Sequence, residues 1–181
     1  MSELILQETT PPGPGADFSA DRRYRHRFYW YWDAQRPPLG FVMLNPSQGG
    51  AVVGGTIKTD PTLRVCRGRA QLLRKYGGIE IGNLYAWIAT DPDDLRLSPD
   101  PVGPENDAAL KRLAFVCPDV VLAWGAHAEP ARAAAVVALL RSGPVKPQLW
   151  YLALTASGQP RHPLHIGYDV TLKPWSEAAL L

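Results

Sequence analysis

Cysteine is scarce: Cys66 and Cys117 are the only two in 181 residues. They are too few for a disulfide framework or a four-thiolate iron–sulfur cluster, and neither lies in a CxxC pair, so a reducing cytoplasm is the expected setting. Long apolar runs are missing as well. No window approaches the roughly 18 uninterrupted apolar residues of a membrane span, and MSELILQETTPPGPGADFS at the start lacks a basic segment followed by an apolar one. A soluble, unexported protein without membrane partners is expected. Charge of one sign is not in large excess, with 19 Lys and Arg against 17 Asp and Glu. There is no GxxxxGK, no HExxH or Cys/His metal spacing and no GxSxG elbow. Triphosphatase, metalloprotease and esterase chemistry therefore have no footing, and neither metal nor cofactor is expected.

What the chain has is length for one core and a regular alternation of elements. A chain of this size buries about two-thirds of its unfolded surface without a metal or disulfide. Residues 1–20 include ETTPPGPGAD (8–17), rich in Pro and Gly, and read as a disordered lead; 21–181 read as one domain. RYRHRFYWYW (23–32) reads as an aromatic strand or hairpin arm, and LGFVML (39–44) as a strand covered on both faces. Beyond a Gly-rich loop (48–55), Asp60 and Pro61 are an N-cap and first-turn pair opening a helix that closes at Lys75 before Gly77 and Gly78. IEIGNLYAWI (79–88), PDVVLAWG (118–125) and PQLWYLALT (147–155) are further strands, separated by helices over 104–117 and 127–143. Such alternation predicts an α/β fold: a central, mostly parallel four-stranded sheet with helices on both faces, plus the N-terminal aromatic strand or hairpin. Positive charge gathers in DRRYRHR (21–27) and between Lys58 and Lys75, which permits a polyanionic partner and equally fits a solvated mixed surface.

Ligands of open α/β sheets bind outside the carboxyl ends of the strands. The four strand exits read LNPS (44–47), GNLYAW (82–87), AWGAHA (123–128) and LTASGQPRHPLHI (154–166), delivering Asn45, Asn83, His127 and His162 to one rim. Each has a plainer reading. Asn45 before Pro46 can cap a turn, Asn83 can satisfy a loop backbone, His127 can cap a helix, and His162-Pro163 can be an extended dipeptide. Their shared end of one sheet is what marks a candidate site.

In this order the four exits resemble those of the uracil-DNA glycosylase superfamily. The chain as a whole, over about residues 23–175, is similar to a bacterial family of uncharacterised proteins carrying LNPS, DPT and RHPL segments. FVMLNPS (41–47) resembles the first glycosylase motif in its mismatch-specific form, which ends in Asn-Pro; the resemblance makes Asn45 the water-orienting residue and Pro46 part of the base pocket. NLYA places Asn83 where the superfamily reads the base edge. RHPLHI (161–166) is similar to the second motif, in which His162 faces the base carbonyl oxygen and Ile166, with its neighbour Leu164, enters the duplex. Ser47 and Arg161 fall with the DNA-contacting positions. The implied activity is removal of uracil or a related damaged or mismatched base from DNA, as in base excision repair. The partner would be single-stranded DNA or a mismatched duplex, and the protein a cytoplasmic monomer.

The chain departs from those motifs in ways that bear on chemistry. No aromatic follows Pro46, the stacking aromatic is missing unless Tyr85 or Trp87 substitutes, and Leu164-His165 stands in place of a Ser-Pro pair. An amide cannot accept a proton at neutral pH, so Asn45 implies slow turnover, with Asp60 as the alternative base or simply the helix cap. Two further classes stay open: an N-glycoside hydrolase or transferase acting on a modified nucleotide or RNA base, and a non-catalytic nucleic-acid-binding module of the same fold.

Overall fold

The computed structural model describes residues 13–47, 52–53, 56–57, 60–91, 94–95 and 97–176. Residues 1–12 of the expected lead, most of the Gly-rich loop and Lys58 lie outside the described residues. Nine strands are present among those described: β1 (Gly13–Phe18), β2 (Arg25–Tyr31), β3 (Pro38–Met43), β4 (Val52–Val53), β5 (Thr56–Ile57), β6 (Gly78–Asn83), β7 (Asp119–Leu122), β8 (Gln148–Tyr151) and β9 (Lys173–Pro174). The helices are α1 (Pro61–Leu72), α2 (Asn106–Val116) and α3 (Pro130–Leu140). Seven strands form one sheet in the order β1-β2-β6-β3-β7-β8-β9, and β4 pairs with β5 apart from it.

The four strands read from the sequence are β3, β6, β7 and β8, adjacent and mutually parallel. The expectation of a mostly parallel four-stranded sheet is corrected at both edges. The aromatic strand β2 joins β6 antiparallel, β1 joins β2, and β9 joins β8, which makes the sheet seven-stranded and mixed. Residues 13–18, counted in the disordered lead for their Pro and Gly, are strand β1. An outer strand needs a ladder on one side only, so Pro14 costs no obligatory hydrogen bond there. Gly15 lies under the Tyr29 ring, where any Cβ would collide.

Every residue of β3 and of β6 is buried, as strands covered on both faces require. Leu110 and Leu113 of α2 and Val136 and Leu140 of α3 cover one face through Val42, Val120 and Leu122. On the other face Leu63, Cys66 and Ala70 of α1 pack on Phe41, Ile81 and Val121, joined by Ile166, Val170 and Leu172 from the tail. The chain therefore leaves β3 toward one face and β7 toward the other, and adjacent strands whose exits diverge leave a crevice between them. No helix among the described residues is long and apolar enough to cross a membrane.

One buried cation binds the tail to this framework. Arg69 of α1 donates from Nη2 to Ile166 O (2.6 Å) and Gly167 O (2.8 Å), and from Nη1 to Val170 O (3.2 Å). Hydrogen bonds to a charged donor are each worth about 1.5–3 kcal/mol, and carbonyls left unpaired in a buried place add to the loss. Arg69→Met, which keeps the bulk and removes the donors, should lower the unfolding free energy by about 3 kcal/mol. Urea denaturation measures this, and hydrogen exchange should quicken across 166–170 in the same variant; an unchanged midpoint would show that the clamp contributes nothing.

Candidate functional site

A cavity of about 420 Å³ opens at the carboxyl ends of β3 and β7. Its position follows from two ladders of unequal length. On the β7 side, Ala123 N donates to Val42 O (2.8 Å), and beyond it the wall is the diverging segment Trp124–His127. On the β6 side the bonds run on, Leu84 N to Met43 O (2.8 Å) and Tyr85 N to Leu44 O (3.0 Å), so that seam stays shut.

Asn45 stands on the β3 wall, two residues past the strand. Its Nδ2 donates to Ala89 O (2.7 Å) and Pro46 O (3.1 Å). Because both neighbours are carbonyl oxygens, only the NH₂ end of the amide can face them, and Oδ1 makes neither contact. Turn capping and water orientation are thus compatible readings of one side chain. Pro46 is buried and its carbonyl takes part in that pin.

His162 lines the same cavity although it is 117 residues away in the chain. Three contacts carry the tail there: Trp124 Nε1 donates to Gln159 Oε1 (2.6 Å), Gly125 N to Pro160 O (2.7 Å), and Arg161 N to Ala153 O (2.8 Å). Gly125 has φ +80°, a left-handed conformation that favours glycine, and His162 Cβ lies just beyond it. His162 caps a 3₁₀ turn (Pro163–His165), its Nδ1 accepting from Leu164 N (3.4 Å). With Nδ1 an acceptor, the neutral ring carries its proton on Nε2. Burial lowers the His162 pKa, His165 lowers it further, and Asp60 pulls it the other way. The neutral imidazole donor is the favoured form.

Asp60 lines the same cavity. Its Oδ1 accepts from Leu63 N (2.8 Å) as the cap of α1, and its Oδ2 accepts from the Ser47 hydroxyl (2.9 Å). Ser47 and the exposed Arg161 border the cavity as well. Arg25 of β2 was a member of a basic stretch in the sequence and no more; here it is 3 % exposed and on the cavity wall. Its Nη2 donates to Asn83 Oδ1 (3.5 Å), and burial brings its pKa down to about 10, still charged at neutral pH. The only signal that could have singled it out is its place, five residues before the β2 strand's last aromatic pair, which topology alone turns inward.

Five expected residues do not line this cavity: Pro46, Asn83, Tyr85, Leu164 and Ile166. Asn83 is 1 % exposed and lies behind Arg25, off the cavity, because the β3–β6 ladder continues past it. Tyr85 lines a neighbouring cavity of about 570 Å³ that shares Leu44, Ala126 and His127 with the first. Trp87 packs edge-on against Tyr24, 5.3 Å between centroids, and the aromatic on the site's own wall is Trp124. Of the two wedge candidates, Leu164 is 36 % exposed while Ile166 packs against the core. The two thiols are free and buried, and desolvation raises their pKa values far from the reactive range. Among the described residues no group of three or more His, Cys, Asp or Glu is arranged to hold a metal ion.

Residues 23–164 match a family model described as "Protein of unknown function (DUF1643)". No curated protein and no solved structure matches the chain.

The shift of His162 gives a pH signature. Its folded pKa lies below the ordinary 6.5, so the unfolded chain takes up a proton that the folded chain refuses. This group's contribution to stability is therefore complete above about pH 6.5 and declines as the pH falls through and below that value. NMR titration of the imidazole should give a midpoint below 6.5, lower again in Asp60→Asn and higher in His165→Asn. A midpoint at or above 6.5 in the wild type would contradict the buried, neutral assignment.

Proposed function

The chain belongs to the DUF1643 family over residues 23–164, and from that premise and the cavity we propose a DNA glycosylase-type hydrolase that removes uracil or a related damaged or mismatched base. The observation that carries this reading is that Asn45 and His162 both line one cavity, within the size range of about 300–1,000 Å³ usual for small-ligand sites.

Breaking an N-glycosidic bond leaves cationic character on the sugar and sends the bonding electrons to the departing base. In this reading His162 Nε2–H donates to the base oxygen as it gains charge; donors of this kind are worth about 2.7–4 kcal/mol each. Asn45 Oδ1 accepts a hydrogen bond from the attacking water, whose oxygen forms the new bond to the anomeric carbon. The amide cannot take the water's proton, so in this reading the proton passes to the carboxylate of Asp60, which lines the same cavity. Both Asp60 oxygens already accept a hydrogen bond, from Leu63 N and from Ser47, so the water competes with those donors for the carboxylate, which accords with slow turnover. Base flipping costs about a few kcal/mol, least at a mismatch. Leu164, exposed and three residues past Arg161 in the chain, is the side chain this reading assigns to fill the vacated stack. A second reading, hydrolysis or transfer at a nucleotide or RNA base, is favoured by one feature: the guanidinium of Arg25 belongs to the enclosed wall and not to an outer DNA-facing surface.

Labelled uracil-containing strands, single and mismatched, incubated with stoichiometric protein and then treated with alkali, should show slow formation of abasic sites. His162→Ala should lower the rate about a hundred- to a thousand-fold. Asn45→Asp should fail to accelerate it, because a carboxylate would face the carbonyls of Ala89 and Pro46, at a cost of about 1–3 kcal/mol in stability. No cleavage by the wild type, with salt-sensitive binding retained, would instead identify a binding module.

A further inference from the structure

We propose that the neighbouring cavity of about 570 Å³ receives the nucleobase next to the one held in the site, so that the ligand is a single-stranded DNA segment of at least two nucleotides with His127 at the link between them. The nucleic-acid chemistry of this ligand rests on the reading above; the second subsite rests on geometry of its own.

The two cavities share Leu44, Ala126 and His127. Ala126 and His127 are exposed and belong to the segment that leaves β7 beyond its last bond to β3, where Gly125 at φ +80° redirects the chain. Leu44 is held from the other side, its carbonyl accepting from Tyr85 N (3.0 Å). A group in one hollow therefore lies next to a group in the other across this common border.

The two linings differ in chemistry. Among the described lining residues of the second cavity there is no Lys or Arg, and Glu129 is the one carboxylate; Tyr85, Leu95, Pro101 and Ala128 supply apolar surface. Its size falls within the about 300–1,000 Å³ usual for a small ligand, and a neutral ring suits it. A phosphate does not, because the carboxylate repels it and no cation answers the charge. The linking phosphodiester is thereby left at the border. There His127 is exposed and has no hydrogen-bond partner among the described residues, so its imidazole can donate to a phosphate oxygen. A mononucleotide would fill one hollow and leave the other to water, whereas a strand accounts for both. Tyr85, absent from the first cavity, is assigned by this arrangement to the neighbouring base and not to the excised one.

The test is fluorescence anisotropy at constant ionic strength with labelled single strands that differ around one uracil: an intact strand, one with an abasic spacer as the preceding neighbour, one with the spacer as the following neighbour, and one with uncharged methylphosphonate links on both sides. One of the two spacers should weaken wild-type binding about tenfold, a difference of about 1.4 kcal/mol. Glu129 is exposed, makes no side-chain cap bond at the start of α3 and lines the second cavity alone, so Glu129→Trp fills that cavity from the surface. This variant should bind the intact strand as weakly as the wild type binds the spacer strand, with no further loss from the spacer. His127→Ala should bind the intact strand more weakly and lose less than the wild type when the links are uncharged. Equal wild-type affinity for the intact strand and both spacer strands would overturn the subsite, as would failure to bind any strand. A full spacer effect retained in Glu129→Trp would also overturn it, placing the neighbouring base elsewhere. Dependence on the neighbouring base without abasic-site formation in the alkali assay would keep the subsite and remove the hydrolase; cleavage indifferent to both spacers would do the reverse.

Discussion

The bond from Ala123 N to Val42 O is the last link between β3 and β7, and the site depends on its being the last. Had that ladder run on as the β3–β6 ladder does, Asn45 would face a neighbouring strand and no space would remain. The separation is forced by the crossovers. After β3 the chain turns toward α1 on one face, and after β7 toward α3 on the other. Backbone groups released where the strands part must find new partners, since an unpaired buried amide or carbonyl is costly. Several side chains of the site are those partners.

Asn45 and His162 each use one polar end to close the backbone and keep the other out of those bonds, while Asp60 closes the backbone with one oxygen and takes the Ser47 hydroxyl with the other. Asn45 satisfies the Ala89 and Pro46 carbonyls, Asp60 the Leu63 amide, and His162 the Leu164 amide. The arrangement holds their orientation without further residues, which is the physical content of preorganisation. It also constrains chemistry. An amide that must donate to two carbonyls cannot be exchanged for an acid at that place, and a histidine whose Nδ1 accepts has one proton to offer, on Nε2.

Helix and strand positions were largely legible in the chain because each rests on local pattern. Asp60-Pro61 opens α1 where cap chemistry puts it, and the apolar runs around Phe41 and Ile81 are strands buried on both faces. The first strand was hidden because its Pro and Gly mimic a disordered segment, and only pairing along β2 gives it a reason to extend. Asn83 illustrates the opposite limit. It is the last residue of β6, paired with Met43 and not level with Asn45, and a ladder that runs two residues further than that of β3 and β7 encloses it. Arg25 and Trp124 could not be distinguished from an ordinary surface cation and an ordinary core aromatic, since what separates them is which wall they border.

By itself the sequence determined the α/β class, the helices on both faces and the set of polar residues released at the strand ends, because periodicity, capping and turn chemistry act over a few residues. Only the tertiary structure decided which strand exits separate and which stay zipped, that a tail histidine meets the amide of an early strand, and that a β2 arginine joins them inside. Those outcomes depend on where crossovers place whole segments, over separations that no local pattern encodes.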